Sequence, residues 1–239
     1  VIKSNKNLKK ISNLIDFSKK NRKPVACIVD RNIFSKTKPV QNKMLIKKNL
    51  VFRPDAIECI LNCVEKKTKI ISTVGFTSRE LYQIRKNKKI KSGQDFLMIG
   101  GMGHTATTSL GVSLFDKKDV FCLDGDGSFL MHMGGVATAA AHTKNNLKYI
   151  LFDNNSHESV GPTNQPTISN KLDFKKIAEG FGFNKAFIIK NKKNFKKNLK
   201  KYIKLKGSIF ILIKIRTGSL FNLERPKSMP DIKRAFMKN

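Results

Sequence analysis

Val120-Phe121-Cys122-Leu123-Asp124-Gly125-Asp126-Gly127-Ser128 decides the fold: an apolar run stops abruptly at Gly-Asp-Gly. Four apolar residues in a row suit a strand buried on both faces, as in a parallel sheet. Twenty-six residues after Gly127, a second apolar run, Tyr149 to Phe152, ends in Asp153-Asn154-Asn155. A helical pattern, Leu130 to His142, separates the two runs. Strand, helix and strand in that order predict a crossover unit.

Working outward, the alternation continues on both sides. Pro54-Asp55 opens a predicted helix through Val64, with Pro where its missing N–H costs little. Ile70 to Thr73 is a predicted strand, Ser78 to Arg85 a helix, and Phe96 to Ile99 a strand ending in Gly100-Gly101-Met102-Gly103. Thr105 to Leu114 is a helix of small residues. A loop from Ser156 to Lys171 follows the Asn pair, and Asp173 caps a helix that stops at Gly180. Ala186 to Ile189 and Ser208 to Ile215 are the last strands, joined by a Lys-rich helix. The expected fold is therefore α/β, a three-layer parallel sheet with helices on both faces.

Before residue 50 the pattern differs. Pro24 to Val29 reads as one more strand, and the Lys-rich stretch from 35 to 50 as a linker. The organisation expected is a fragment at 1–34, a linker at 35–50 and a complete domain at 51–239.

Ligands of open parallel sheets bind at the carboxyl ends of strands. Three polar or glycine-rich segments fall there: Gly100 to His104, Asp124 to Ser128 and Asp153 to His157. Gly-Asp-Gly lets a backbone approach phosphate and adds a carboxylate. A diphosphate carried on magnesium needs both, because the ion takes a shell of oxygens from a few protein groups, phosphate and water. Asp126 offers a carboxylate oxygen and Asn155 an amide oxygen. The N–H groups of Gly127 and Ser128, at a helix start, suit the diphosphate. A dinucleotide fingerprint fails, since its third glycine would stand at Leu130. The bland reading of Gly-Asp-Gly alone is a tight turn; its spacing to the Asn pair makes it specific.

With these motifs the chain resembles the thiamine-diphosphate-dependent 2-oxo acid decarboxylases, over essentially everything after residue 22. The resemblance implies thiamine diphosphate and Mg2+ as cofactors, with Asp126, Asn155 and the backbone carbonyl of His157 as metal ligands. It implies that Met102 props the cofactor and that the Gly100 carbonyl accepts from its 4′-amino group. Gly101, Gly103 and His104 complete that segment. Thr73 and Gly75 belong to a diphosphate-side loop, and Gly125, Gly127 and Ser128 to the phosphate cradle. Thr77-Ser78-Arg79-Glu80, Met131-His132-Met133-Gly134, His157-Glu158-Ser159 and Leu223-Glu224-Arg225-Pro226 point to the branch acting on 3-phosphonopyruvate, with the sulfopyruvate decarboxylases a near neighbour. The segment from Gly161 through Pro162 to Gln165-Pro166-Thr167 is longer by two residues than the family's, and the tail lacks the family's usual Arg ahead of Leu223. Both leave the substrate open.

The resemblance also implies a pyrimidine-binding domain whose Glu protonates the cofactor. Residues 1–34 resemble the last helix and strand of such a domain, and no Glu precedes Glu58. The expectation is a C-terminal portion of a longer polypeptide, in an oligomer, at least a dimer, with sites between subunits.

Other residues carry weaker signals. His157 and His104 are the catalytic candidates, His157 for proton transfer or a substrate role and His104 for a contact near diphosphate or substrate; the bland reading of His104 is a structural or capping histidine. His132 and His142 read as structural, and Met131 and Met133 as core filler. Arg79 and Glu80 read as a solvated pair, with Arg79 also fitted to a phosphonate or carboxylate. Cys27, Cys59, Cys63 and Cys122 read as buried thiols of a reducing compartment, since no zinc spacing joins them.

The net charge is +31, yet only 8 of the 48 basic residues are Arg and Trp is absent. Base readout and stacking favour Arg and aromatics. Codon bias toward Lys explains the charge better than a specific nucleic-acid partner does. The longest apolar run is far too short for a bilayer. The expected protein is soluble and cytoplasmic, with a small 2-oxo acid as its partner. An incomplete cofactor-binding half and a basic nucleic-acid binder are the non-enzymatic alternatives.

Overall fold

A computed structural model describes residues 1–30, 33, 49–89, 94–159, 165–226 and 228–238. The chain divides into two compact units, Val1–Val40 and Gln41–Asn239.

In the first unit, a short 3-10 turn leads into α1 (Lys9–Asn21). Arg22 ends α1 in the left-handed conformation, φ 49°, its N–H returning to the Ser18 carbonyl. Every side chain of α1 keeps some exposure. The strand expected at Pro24 to Val29 is reduced to one parallel bridge, between Ile2 and Val29. A strand is defined by its ladder, and among the described residues of this unit the segment pairs with Ile2 alone. Cys27 is exposed rather than buried. Of the predicted linker, all but Asn49 and Leu50 lies outside the described residues.

Among the described residues the second unit holds six parallel strands: β1 (Lys69–Ser72), β2 (Asp95–Leu97), β3 (Val120–Gly125), β4 (Leu147–Asp153), β5 (Lys185–Ile189) and β6 (Ile209–Lys214), in the order β2-β1-β3-β4-β6-β5. Successive side chains go to opposite faces. Phe121, Leu123, Ile150, Phe152, Ile211 and Ile213 pack on one face, under α2 (Arg53–Leu61), α3 (Phe76–Asn87) and α8 (Phe195–Ile203). Cys122, Tyr149, Leu151, Phe210 and Leu212 pack on the other, under α4 (Thr105–Phe115), α5 (Asp126–Met131), α6 (Met133–His142) and α7 (Phe174–Gly180). Both faces are therefore dry, which is why the strands read as unbroken apolar runs. A last helix, α9 (Met229–Met237), carries Phe236 against Phe96 of β2; it was not among the expected elements, although Ser228 caps it and Pro230 and Asp231 stand in its first turn.

One fully buried cation crosses this core. Lys148 of β4 donates to the carbonyls of Leu205 and Gly207 at 2.6 and 2.8 Å and lies 3.4 Å from Asp119. Burial lowers its pKa, and Asp119 pulls it part of the way back.

The expected helix from Leu130 to His142 proves to be two, α5 and α6, broken at His132 with φ −141° and ψ 58°. The break seats His132 among glycines: a Cβ on Gly103 would lie 2.9 Å from the His132 Cβ, and one on Gly135 would lie 2.8 Å from its Nδ1. Met133 packs on the core, but Met131 is 59% exposed and fills nothing.

The chain winds outward from β1 to β2 in one direction and from β3 to β4 in the other. The switch lies between β1 and β3, which puts the ends of those two strands at the natural ligand crevice.

Candidate cofactor site

Two adjoining clefts open at that switch. The first is lined by Thr73, Met102, Gly125, Asp126, Gly127, Ser128, Asn154 and His157, with Arg53 and Glu158 closing it.

Gly125 ends β3 and Asp126 begins α5, so strand passes into helix without an intervening turn. Gly127 and Ser128 thus stand in the first turn, where N–H groups lack helical partners. The Ser128 hydroxyl knots three loops together: the Thr73 hydroxyl donates to it at 3.0 Å and the Gly103 N–H at 3.1 Å. It also bonds to the buried Asp124 carboxylate, which accepts from the Tyr149 hydroxyl at 2.5 Å and the Gly125 N–H at 2.9 Å. Burial pushes the Asp124 pKa up, and these bonds pull it partly back.

Asp126 is 2% exposed. Its Oδ2 accepts from the Thr167 hydroxyl at 2.5 Å, and no Lys or Arg pairs with it among the described residues. Burial and then the neighbouring Asp153 push its pKa up to about 6, against hydrogen bonds from Thr167, Ser169 and the Gly127 N–H. The same Thr167 hydroxyl lies 3.5 Å from the Asn155 amide oxygen, so the two predicted metal ligands converge on one side chain. The Ser169 hydroxyl lies 2.9 Å from that amide oxygen and 2.8 Å from Asp153. Asn155 takes a left-handed conformation, φ 57°, with its own N–H on Asp153. The loop after β4 is fastened by a bridge between Ser156 and Pro166 and by the His157 N–H to the Gln165 carbonyl at 2.7 Å. The departure noted at Gly161 to Asn164 lies outside the described residues.

The His157 ring covers Gly127 so closely that a Cβ there would lie 2.5 Å from its Nδ1. Glycine is required here by the His157 ring itself, since any Cβ would have to push that ring aside. The donor set is all oxygen: a carboxylate, an amide and hydroxyls. That suits a hard divalent cation and not a soft one. The residues present therefore fit a magnesium-borne diphosphate.

Other predicted residues fall elsewhere. Thr73 is buried at the end of β1, and Gly75 has φ 100°, with Ser159 so near that a Cβ would lie 2.8 Å from its hydroxyl. Gly100 and Gly103 have positive φ, as the loop after β2 requires, and Gly101 abuts Met98. Met102 lines both clefts. His104 caps α4 with its backbone; its ring is exposed, 4.7 Å from that of His132, and it lines neither cleft.

Arg79 and Glu80 do not form a solvated pair. Glu80 is 0% exposed and takes two bonds from Arg53, at 2.6 and 3.2 Å. Arg53, 4% exposed, also donates to Glu158 at 3.3 Å, and Glu158 accepts from Asn154 at 3.0 Å. Burial alone lowers the Arg53 pKa, but Glu80 and Glu158 outweigh it and raise the group. Burial pushes Glu80 up against the pull of Arg53. Arg79 instead donates to the carbonyls of Leu223 and Glu224. Sequence reasoning missed Arg53, Glu158, Thr167 and Ser169 as site residues. Arg53-Pro54-Asp55 at a helix start was a signal for the first; the others join through long-range contacts that spacing does not encode.

Comparison with known proteins defines the class. Residues 73–213 match the family model of the thiamine pyrophosphate enzyme C-terminal TPP binding domain. The chain belongs to that family. It is 36% identical over 178 residues to a phosphonopyruvate decarboxylase of Streptomyces hygroscopicus, covering 74% of this chain and 43% of that one. It is 35% identical over 167 residues to the sulfopyruvate decarboxylase subunit beta of Methanothermobacter thermautotrophicus, covering 70% of this chain and 83% of that subunit. The Escherichia coli acetolactate synthase isozyme 1 large subunit is more distant, 26% identical over 176 residues, or 66% of this chain and 30% of the relative. The match thus spans less than half the length of the phosphonopyruvate decarboxylases. No helix among the described residues is long and apolar enough to cross a membrane.

Proposed function

We propose that this chain is the diphosphate- and Mg2+-binding part of a decarboxylase of an anionic 2-oxo acid, with 3-phosphonopyruvate as the substrate and phosphonoacetaldehyde and CO2 as products. That reaction belongs to phosphonate biosynthesis. The observation that carries the reading is Asp126: a buried carboxylate, joined to Asn155 through Thr167, at the first turn of a helix and at the switch point of the sheet. Asp126, Asn155 and the His157 carbonyl hold the cation. The N–H groups of Gly127 and Ser128 take the diphosphate oxygens. Met102, which lines the cleft, would prop the cofactor, and the Gly100 carbonyl would accept from its amino group. His157, over Gly127, is the candidate to move a proton at the reacting carbon. When bound, thiamine diphosphate supplies the electron sink for loss of CO2. The organisation proposed is a pyrimidine-domain remnant at 1–34, a linker at 35–50 and the cofactor domain at 51–239, working in an oligomer with sites between subunits, in the cytoplasm.

Sulfopyruvate is the second reading, supported by the larger share of that enzyme's beta subunit that the chain matches. Calorimetric titration of thiamine diphosphate in Mg2+ tests the cofactor site. Asp126→Ala is expected to weaken binding about a hundredfold or more, the scale of a lost charge-assisted contact. Unchanged affinity sinks the reading.

A further inference from the structure

The second cleft has an empty volume of ≈ 1060 Å³ including the solvent at its mouth, against ≈ 460 Å³ for the first. It shares Val74, Phe76, Met102 and Ser159 with the first, so the two are continuous. Leu97, Met98 and Ile99, at the end of β2, make an apolar floor. Among the described residues no Asp or Glu lines it, but two arginines do, Arg79 and Arg225. That pairing stands out in a chain with 40 Lys and 8 Arg.

The two arginines differ in what they are free to do. Arg79 is committed to the tail: its guanidinium donates to the carbonyls of Leu223 and Glu224 and lies 5.9 Å from the Phe76 ring centre. Two more residues of α3 hold the same stretch. Gln83 accepts from the Glu224 N–H at 3.4 Å, and Lys86 pairs with the Glu224 carboxylate at 2.6 Å. The tail is thus pinned at 223–224, and the next residue, Arg225, falls at the cleft. Arg225 has no ion pair among the described residues.

We propose that Arg225 receives the distal anionic group, phosphonate or sulfonate, of the 2-oxo acid, and so sets the substrate class. This rests on the decarboxylase reading above. A small 2-oxo acid with its carbonyl toward the first cleft carries its second anion into the other, past Met102. Arg225 is exposed at the cleft, open to an incoming ligand, and its planar guanidinium fork matches a tetrahedral oxyanion. Arg79 acts through Arg225, as a positioning residue.

The test uses the holoenzyme, this chain assembled with a pyrimidine-binding domain, and its Arg225→Gln and Arg225→Lys variants. Steady-state kinetics are run on 3-phosphonopyruvate, sulfopyruvate and pyruvate, beside calorimetry of thiamine diphosphate with Mg2+. For R225Q, KM for the preferred anionic substrate rises about tenfold or more relative to that for pyruvate, as loss of a charged hydrogen bond implies. Its kcat falls less than about threefold on the same scale, cofactor affinity holds, and R225K recovers part of the loss. An unchanged KM ratio overturns the proposal, as does a wild-type preference for pyruvate, and either leaves the decarboxylase reading standing. Loss of cofactor affinity in R225Q also overturns it, by placing Arg225 on the cofactor. A wild-type enzyme that turns over none of the three overturns the decarboxylase reading itself.

Discussion

The two clefts meet at Met102 yet are built in opposite ways. Around Asp126, nearly every polar atom is tied to another: Thr73 to Ser128, Tyr149 to Asp124, Thr167 to Asp126, Arg53 to Glu80 and Glu158. Under the tail, the floor is apolar and Ile99 is 61% exposed. The difference teaches where stability and recognition part company. The polar cleft is wired into the fold, so changes there register on folding as well as on binding. The apolar cleft borrows its chemistry from a pinned tail, so changes at its exposed positions, Ile99 and Arg225, register on the ligand rather than on folding.

The largest expected break comes at Arg53. Arg53→Met leaves Glu80 and Glu158 buried without their cation, a loss of about 3–5 kcal/mol. Urea unfolding of the chain measures it. A loss under 1 kcal/mol, on the scale of an exposed pair, would mean that the cluster is wetter than its geometry.

Asp126 gives the next effect, with the opposite sign. Its folded pKa, about 6, lies above the ordinary 3.8. The folded state therefore holds the proton more tightly than the unfolded one. In the metal-free protein, the stability this proton brings is complete below about pH 4 and is lost as pH rises through about 6. Asp126→Asn removes that dependence and stabilises the metal-free chain at pH 7 by on the order of 3 kcal/mol, while binding no Mg2+. Melting temperatures in a chelator at pH 4 and pH 7 decide it: parallel pH slopes for the two proteins would refute the assignment.

The smallest effect sharpens the contrast. Ile99→Ala, in the floor of the open cleft, changes folding stability by less than about 0.5 kcal/mol. A larger loss would show that Ile99, like Leu97 beside it, is part of the core.

Most of the sheet was legible because both of its faces are dry. Parallel strands buried on two sides write themselves as apolar runs, and all six runs became strands in the second unit. The segment at Pro24 to Val29 has the same composition and failed, since a strand also needs neighbours. At the site, Asp126, Gly127 and Asn155 were legible as polar residues at strand ends with a telling spacing. Thr167 was not, because it reaches Asp126 from 41 positions away through a loop with no periodicity. Glu80 was misread for a related reason: on a helix its neighbour in sequence points elsewhere, and its true partner, Arg53, lies 27 positions back.

Lys148 gives the chain an internal clock. The sequence holds 40 lysines, and this is the one whose side chain is fully buried among the described residues. An amine-reactive reagent meets the other described lysines with at least part of their surface open, while Lys148 stays silent until β4 parts from the turn at Leu205 and Gly207. Its labelling rate is then a readout of core opening that needs no engineered probe, and cofactor loading, by favouring the closed form, slows that clock.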